Sequence, residues 1–239
     1  MSDFEKGYIL NGEEVREKSE GMAAYMSRVF AWMFGGLMLT GLTGYAVSAS
    51  FALQQLVFGN RLVLFGLIMM PFLLIGAINR AVTHSSAAAA KLWFMVFSVV
   101  YGLSFSVLFL AYDLGDMVTA FMLTGGLFGV LSLVGFVTKK DLTAFGTLLR
   151  TGLLVGIAAI LVNLFLGNGM IEMVTTIGLL VIFMGLVVYD TKRIKEYFYQ
   201  AAGDQELVHK AAVLGALVLY LDFLNIFIRV LRLVGRSRD

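Results

Sequence analysis

The chain has no cysteine, one proline and two histidines among 239 residues. Without cysteine there is no disulfide, no thiolate nucleophile and no thiolate-bound metal. The histidines, His84 and His209, fall in expected connections and have no metal-ligating neighbours, which disfavours metalloprotease and rhomboid-like chemistry. Charge is scarce too. Only 14% of residues are charged and 59% are hydrophobic, where a soluble domain is about a quarter charged. No nucleotide-binding loop or haem-ligand pattern is present, and no nucleic-acid partner is expected. What the sequence has instead is long apolar runs. They define an all-α polytopic membrane protein whose first partner is the lipid bilayer.

A spanning helix needs about 20 apolar residues. Seven stretches qualify: residues 29–49, 62–79, 92–112, 117–137, 147–166, 173–190 and 211–234. The runs are continuous rather than alternating, which rejects a β-barrel. Residues 1–27 read as a polar, mixed-charge tail without a signal-peptide core, carrying a short surface helix around Glu13 to Glu20. Residues 28–235 then form the transmembrane domain and 236–239 a C-terminal tail. Pro71 is expected to kink the second helix. Small residues recur at helix-packing spacing: Gly36, Thr40 and Gly44; Gly125, Gly129 and Ser132; Gly152 and Gly156. They are read as contacts within the bundle, with a dimer face as the alternative.

Orientation follows from where lysine and arginine lie. With the N-terminus in the cytoplasm, thirteen of the eighteen lie on the inner side, among them Arg28, Arg80, Arg150 and Arg193. The outer loops hold only Arg61. Arg229, Arg232, Arg236 and Arg238 lie on or after the last helix. Seven full spans put these four outside, against the rule, whereas a re-entrant last segment puts them inside. The sequence leaves that choice open.

Two aspartates sit in apolar runs: Asp190 in LLVIFMGLVVYD and Asp222 in LGALVLYLDFLNIF. A carboxylate in hydrocarbon is expensive, faces the bundle interior or a water path, and usually has a partner. Asp222 lies about 16 Å into its segment, too deep for a short side chain to snorkel. The helix of Asp190 is expected to continue to the aromatic cluster Tyr197, Phe198 and Tyr199 at the inner headgroup level. That puts Asp190 about 13 Å deep, level with Asp222. The loop before the last helix is then short, and the two helices are antiparallel neighbours. Carboxylates in contact share a proton and titrate as one unit. The pair is thus a candidate pH switch and, once deprotonated, a transient calcium site.

Asp222, Asn225, Arg229 and Arg232 are spaced three, four and three residues apart, on one face of the last helix. Asn225 and Arg229 are candidate pore-lining residues, whereas Arg232 can reach the headgroups. Arg80 ends the second helix on the inner side, where it is either a third member of the switch or an ordinary basic flank. Asp113 and Asp116 flank a short outer loop and can concentrate cations at an outer mouth.

Four segments carry a resemblance: YMSRVFAWMFGGLMLTGLTGY, FVTKKDLTAFG, VVYDTKRIKE and LYLDFLNIFIRVLRLVGR. Together, from Tyr25 to Gly235, the chain resembles the bacterial Bax-inhibitor membrane proteins of the transmembrane Bax inhibitor motif family. The resemblance implies a seven-helix fold whose last helix is central and wrapped by the other six. It implies a pH-sensitive calcium leak with no bound cofactor, in which Asp190 and Asp222 are the sensing pair and Arg80 is the latch. It also implies a bacterial inner-membrane location and other membrane proteins as partners. Two positions depart from the pattern. No acidic residue lies between Leu62 and Asn79, and Ser106 stands where proline is common. The competing readings are an intramembrane aspartyl protease and a non-transporting regulator of other membrane proteins. Tyr189 and Asp190 resemble the first motif of the protease class, but Asp222 follows Leu-Tyr-Leu rather than Gly-x-Gly. A retinal protein is disfavoured because Lys210 sits only at the edge of the last helix.

Overall fold

A computed structural model describes residues 3–201 and 203–235, with side chains from Glu20 onward apart from Ile68 and Phe72. The described residues form eight helices: α1 (Asp3–Ser48), α2 (Phe51–Phe58), α3 (Arg61–His84), α4 (Ala87–Ala111), α5 (Leu114–Val137), α6 (Thr143–Leu166), α7 (Gly169–Ala201) and α8 (Gln205–Val234). All but α2 are long and apolar enough to cross a membrane. Each corresponds to one of the seven runs seen in the sequence. The helices overrun the runs, because a hydropathy window stops where polar residues begin and backbone hydrogen bonding does not. Thus α1 passes through residue 28 without a break and takes in the short helix expected near Glu13. His84 is the last residue of α3, and His209 lies near the start of α8, so neither is in a loop. The tail residues 236–239, with Arg236 and Arg238, lie outside the described residues.

Local chemistry explains the helix ends. Ser50 caps α2, a short helix in a segment read as a connection, by accepting from the Leu53 N–H at 3.5 Å. α3 is one helix through Pro71. Proline lacks the N–H that would bond the Leu67 carbonyl, and Ser104 of α4 donates its hydroxyl to that oxygen at 3.4 Å. Just before α6, Asp141 accepts from the Thr143 N–H at 2.9 Å and hydroxyl at 2.7 Å. These bonds, with Lys192 nearby, hold the Asp141 carboxyl below the usual carboxylate range. Its contribution to stability is therefore present above about pH 4 and lost as pH falls through the lowered value. Asp141→Ala should lower the melting temperature slightly at pH 7, and the difference from the parent protein should shrink as pH falls below about 4.

The last helix is the most buried. Two thirds (67%) of its most apolar stretch is inside the bundle, against 33% or less for every other span. A helix that is apolar nearly all round belongs in a core, and α8 is such a helix. α1, α3, α4, α5 and α7 pack on it, while α6 packs on α7. α1 and α4 approach closely through glycine. A Cβ on Gly102 would sit 2.7 Å from the Thr40 carbonyl oxygen, and one on Gly36 or Gly44 would strike Phe94 or Phe109. Gly152 and Gly156 face Ile182 and Leu179 of α7 in the same way. These motifs pack within the chain. Gly125 and Gly129 do not, since a Cβ on either meets nothing within 4 Å.

α8 traverses the whole bundle. Its first turns lie with the N-terminal end of the span in α1, where Arg28 meets His209 at 3.3 Å and Glu206 accepts from the Ala87 N–H at 2.6 Å. Its last turns lie at the opposite end, where Arg232 meets Glu172 of α7 at 3.4 Å and Gly235 abuts Tyr112. The last segment is therefore a full span and not re-entrant. Arg229 and Arg232 lie toward the end opposite Arg28.

Candidate functional site

The turn between α7 and α8 sets the site. Gly203 has φ +105°, a left-handed conformation suited to glycine. Asp204 then caps α8, accepting from the Glu206 and Leu207 N–H groups at 2.8 and 3.1 Å. So short a connection makes α7 and α8 antiparallel neighbours, as the aromatic cluster predicts. Gly215 of α8 packs against Ile194 of α7. Beyond that contact Asp190 comes after four residues and Asp222 after seven. At 1.5 Å per residue the carboxylates are offset by about 4–5 Å along the helix axes.

Asp222 is 5% exposed, and its Oδ2 is buried without a hydrogen-bond partner among the described residues. Asp190 is half-buried and lies within electrostatic range of Asp222. The cations within range of Asp190 are Arg150 and Arg193. Each is held over an aromatic face, Arg150 over Tyr189 at 5.0 Å and Arg193 over Tyr197 at 5.4 Å. Such cation–π seats fix a guanidinium beside a carboxylate without requiring a bidentate pair. Arg80 is not part of this group. Its side chain is exposed and makes no ion pair among the described residues. The sequence carried a signal for Arg150, a basic residue early in α6, but only tertiary contact distinguishes it from the other inner-side cations.

The polar stripe of α8 is split by its surroundings. Asn225 is half-buried and donates to its own helix at the Leu221 carbonyl, 2.8 Å away. Arg229 is 9% exposed, its Nε lacks a hydrogen-bond partner among the described residues, and it lies within electrostatic range of Tyr101 of α4. Arg232 is exposed and pairs with Glu172, a surface contact of small energetic weight. Asp113 precedes α5 and Asp116 lies in its first turn, remote along the helices from the Asp190–Asp222 pair.

α8 also carries a seam. From Ala212 to Leu231 every residue is buried except Leu214, Val218, Leu221, Asn225 and Ile228, which are half-buried. Their spacing of four, three, four and three puts them on one face. Phe121 and Phe128 of α5 pack on Phe223, about half a helical turn away around the axis. The seam therefore runs along the flank of α8 turned from α5, between α7 and the α3–α4 side. Asp222 and Arg229 border it. On another flank of α8 a cross-bundle link forms, where Thr40 donates to the Ser98 carbonyl at 2.9 Å and accepts from the Tyr220 hydroxyl at 2.6 Å. That link locks α1, α4 and α8 together on the side away from the seam.

Seven apolar helices around an acidic pair on adjacent spans make this an integral membrane protein with an intramembrane polar site. The chain matches the family described as Inhibitor of apoptosis-promoting Bax1 over residues 22–239 and belongs to it. It is 36% identical over 228 residues to the inner membrane protein YbhL of Escherichia coli (strain K12), covering 95% of this chain and 97% of that one. An uncharacterized protein of Deinococcus radiodurans is 35% identical over 216 residues, covering 90% and 91%. One of Borreliella burgdorferi is 33% identical over 215 residues, covering 90% and 93%.

Proposed function

We propose that this protein is a pH-sensitive cation leak with calcium as a permeant ion, sited in a bacterial inner membrane with its N-terminus in the cytoplasm. The observation that carries this reading is Asp222: a carboxylate on the most buried helix, with one oxygen unpartnered among the described residues, in range of a second carboxylate and beside a half-buried seam. A group so placed is costly, and such groups mark ion pathways and proton relays. Asp190 and Asp222 act as one titrating unit, and their protonation state selects between a closed and an open bundle. Arg150 and Arg193 set the local field in the conformation described above, and Arg80 latches the pair only when α3 closes over the seam. The membrane assignment draws on the name of the Escherichia coli relative, and the orientation on the thirteen basic residues of the inner side.

Calcium takes six to eight oxygens. Among the described residues no third acidic or histidine side chain joins the pair. Calcium is therefore held in passing by Asp190 and Asp222 and not as a resident ion. Calcium entry into dye-loaded proteoliposomes, followed from pH 5 to pH 8, tests the reading. Flux should vary with pH for the parent protein and lose that variation in Asp190→Asn and Asp222→Asn. If both variants keep the same flux and the same pH profile, the pair is not the gate. Leu221→Trp, which fills the seam without touching charge, should lower flux at every pH.

A further inference from the structure

On the flank of α8 away from the seam, α1 and α5 both pack on α8 but not closely on each other. Between them lies a slot of about 470 Å³ floored by Phe223, Leu224 and Phe227 and rimmed by Leu42, Val118 and Met122. Its rim is open: Leu42 is 62% exposed and Met122 67%. All of these residues belong to spanning helices, so the slot opens sideways into hydrocarbon and not into water. It lies toward the end where α8 finishes, since it takes in the later turns of α1 and the first turns of α5.

Its shape selects what can enter. The wall from Leu37 to Tyr45 extends about 12 Å at 1.5 Å per residue. The slot is open along its side to the lipid chains that surround every spanning helix. Its length is close to one leaflet's share of a hydrocarbon core about 30 Å thick. The lining is apolar apart from Tyr45 and Thr40, and the Thr40 hydroxyl is already bonded to Ser98 and Tyr220.

We propose that this slot is a lipid site, in which an acyl chain of a phospholipid from the leaflet at the α8 C-terminal end lies between α1 and α5 against the core helix. The seated chain fills the gap that the two helices leave over α8, and it bridges elements that have no close contact of their own.

Gly41 supplies the test. It lines the slot, and a Cβ there meets nothing within 4 Å, so Gly41→Phe occupies the slot without a backbone clash. Met122→Trp narrows the mouth independently. Gly129→Phe, on the outward face of α5 and away from the slot, is the control. The full chain is purified in mild detergent, given phosphatidylethanolamine–phosphatidylglycerol vesicles, stripped by detergent washing and weighed by native mass spectrometry. The parent protein and Gly129→Phe should each retain one phospholipid. Retention should fall at least fivefold in Gly41→Phe and in Met122→Trp, with helix content unchanged by circular dichroism. The proposal is overturned if the parent protein retains no lipid or if both slot variants retain it fully. It is equally overturned if the retained mass is a free fatty acid or a second copy of the chain. None of these readings uses ion flux, so they are separate from the leak itself.

Discussion

Asp222→Asn should raise the melting temperature of the solubilised protein by several degrees while it removes the pH dependence of flux. Asp222 is 5% exposed, its Oδ2 has no hydrogen-bond partner among the described residues, and a second carboxylate, Asp190, lies within electrostatic range. Insertion scales put an aspartate at mid-helix at about 2.5–3.5 kcal/mol. Asparagine has the same shape and cannot ionise, so the variant sheds the part of that cost that the shared proton leaves in place. A gain of about 1–2 kcal/mol corresponds to a few degrees for a chain of this length. Asp190→Asn should stabilise less, because Asp190 is half-buried and already sees Arg150 and Arg193. Thermal melts at pH 7 in one detergent decide the matter. A lower melting temperature for Asp222→Asn would make the carboxylate a structural requirement, and the case for a functional residue held at the expense of stability would fail.

The second large effect is expected at Gly135, where α5 crosses α7. A Cβ there would lie 2.4 Å from the Val188 carbonyl oxygen and 3.0 Å from the Thr191 Cβ. Neither neighbour can swing away, since one is backbone and the other is the branch point of a buried threonine. Gly135→Ala must push the helices apart, which costs about 1–3 kcal/mol or more. Gly129→Ala meets nothing within 4 Å. It should be neutral or stabilise by roughly 0.5–1 kcal/mol through helix propensity. The two variants therefore move the melting temperature in opposite directions. Because Val188 and Thr191 flank Asp190, Gly135→Ala should also displace that carboxylate and change flux, whereas Gly129→Ala should not.

The contrast between these glycines shows what spacing can convey. Gly125 and Gly129 stand four residues apart, and spacing alone marks them as a packing pair. Yet both face outward, while Gly135, which no motif singles out, carries a close approach of α5 to α7. Spacing reports which residues share a helix face. It does not report which face meets a neighbour. Arg80 and Arg150 differ in the same way. Both are basic residues near the inner side, and only the approach of α6 to α7 brings Arg150 over Tyr189 and within range of Asp190.

Hydropathy alone determined the seven spans, because each must satisfy its own backbone hydrogen bonds and so forms from contiguous residues. The cost of charge in hydrocarbon likewise marked Asp190 and Asp222 before any contact was known. Family likeness was legible too, since its motifs are runs of adjacent residues. Tertiary structure decided what depends on residues far apart in the chain. It settled that α8 crosses the bundle completely, that Arg150 and Arg193 accompany Asp190, and that a seam and a lipid-sized slot lie on opposite flanks of the last helix. These depend on how tilted helices meet, and one-dimensional periodicity carries no record of that.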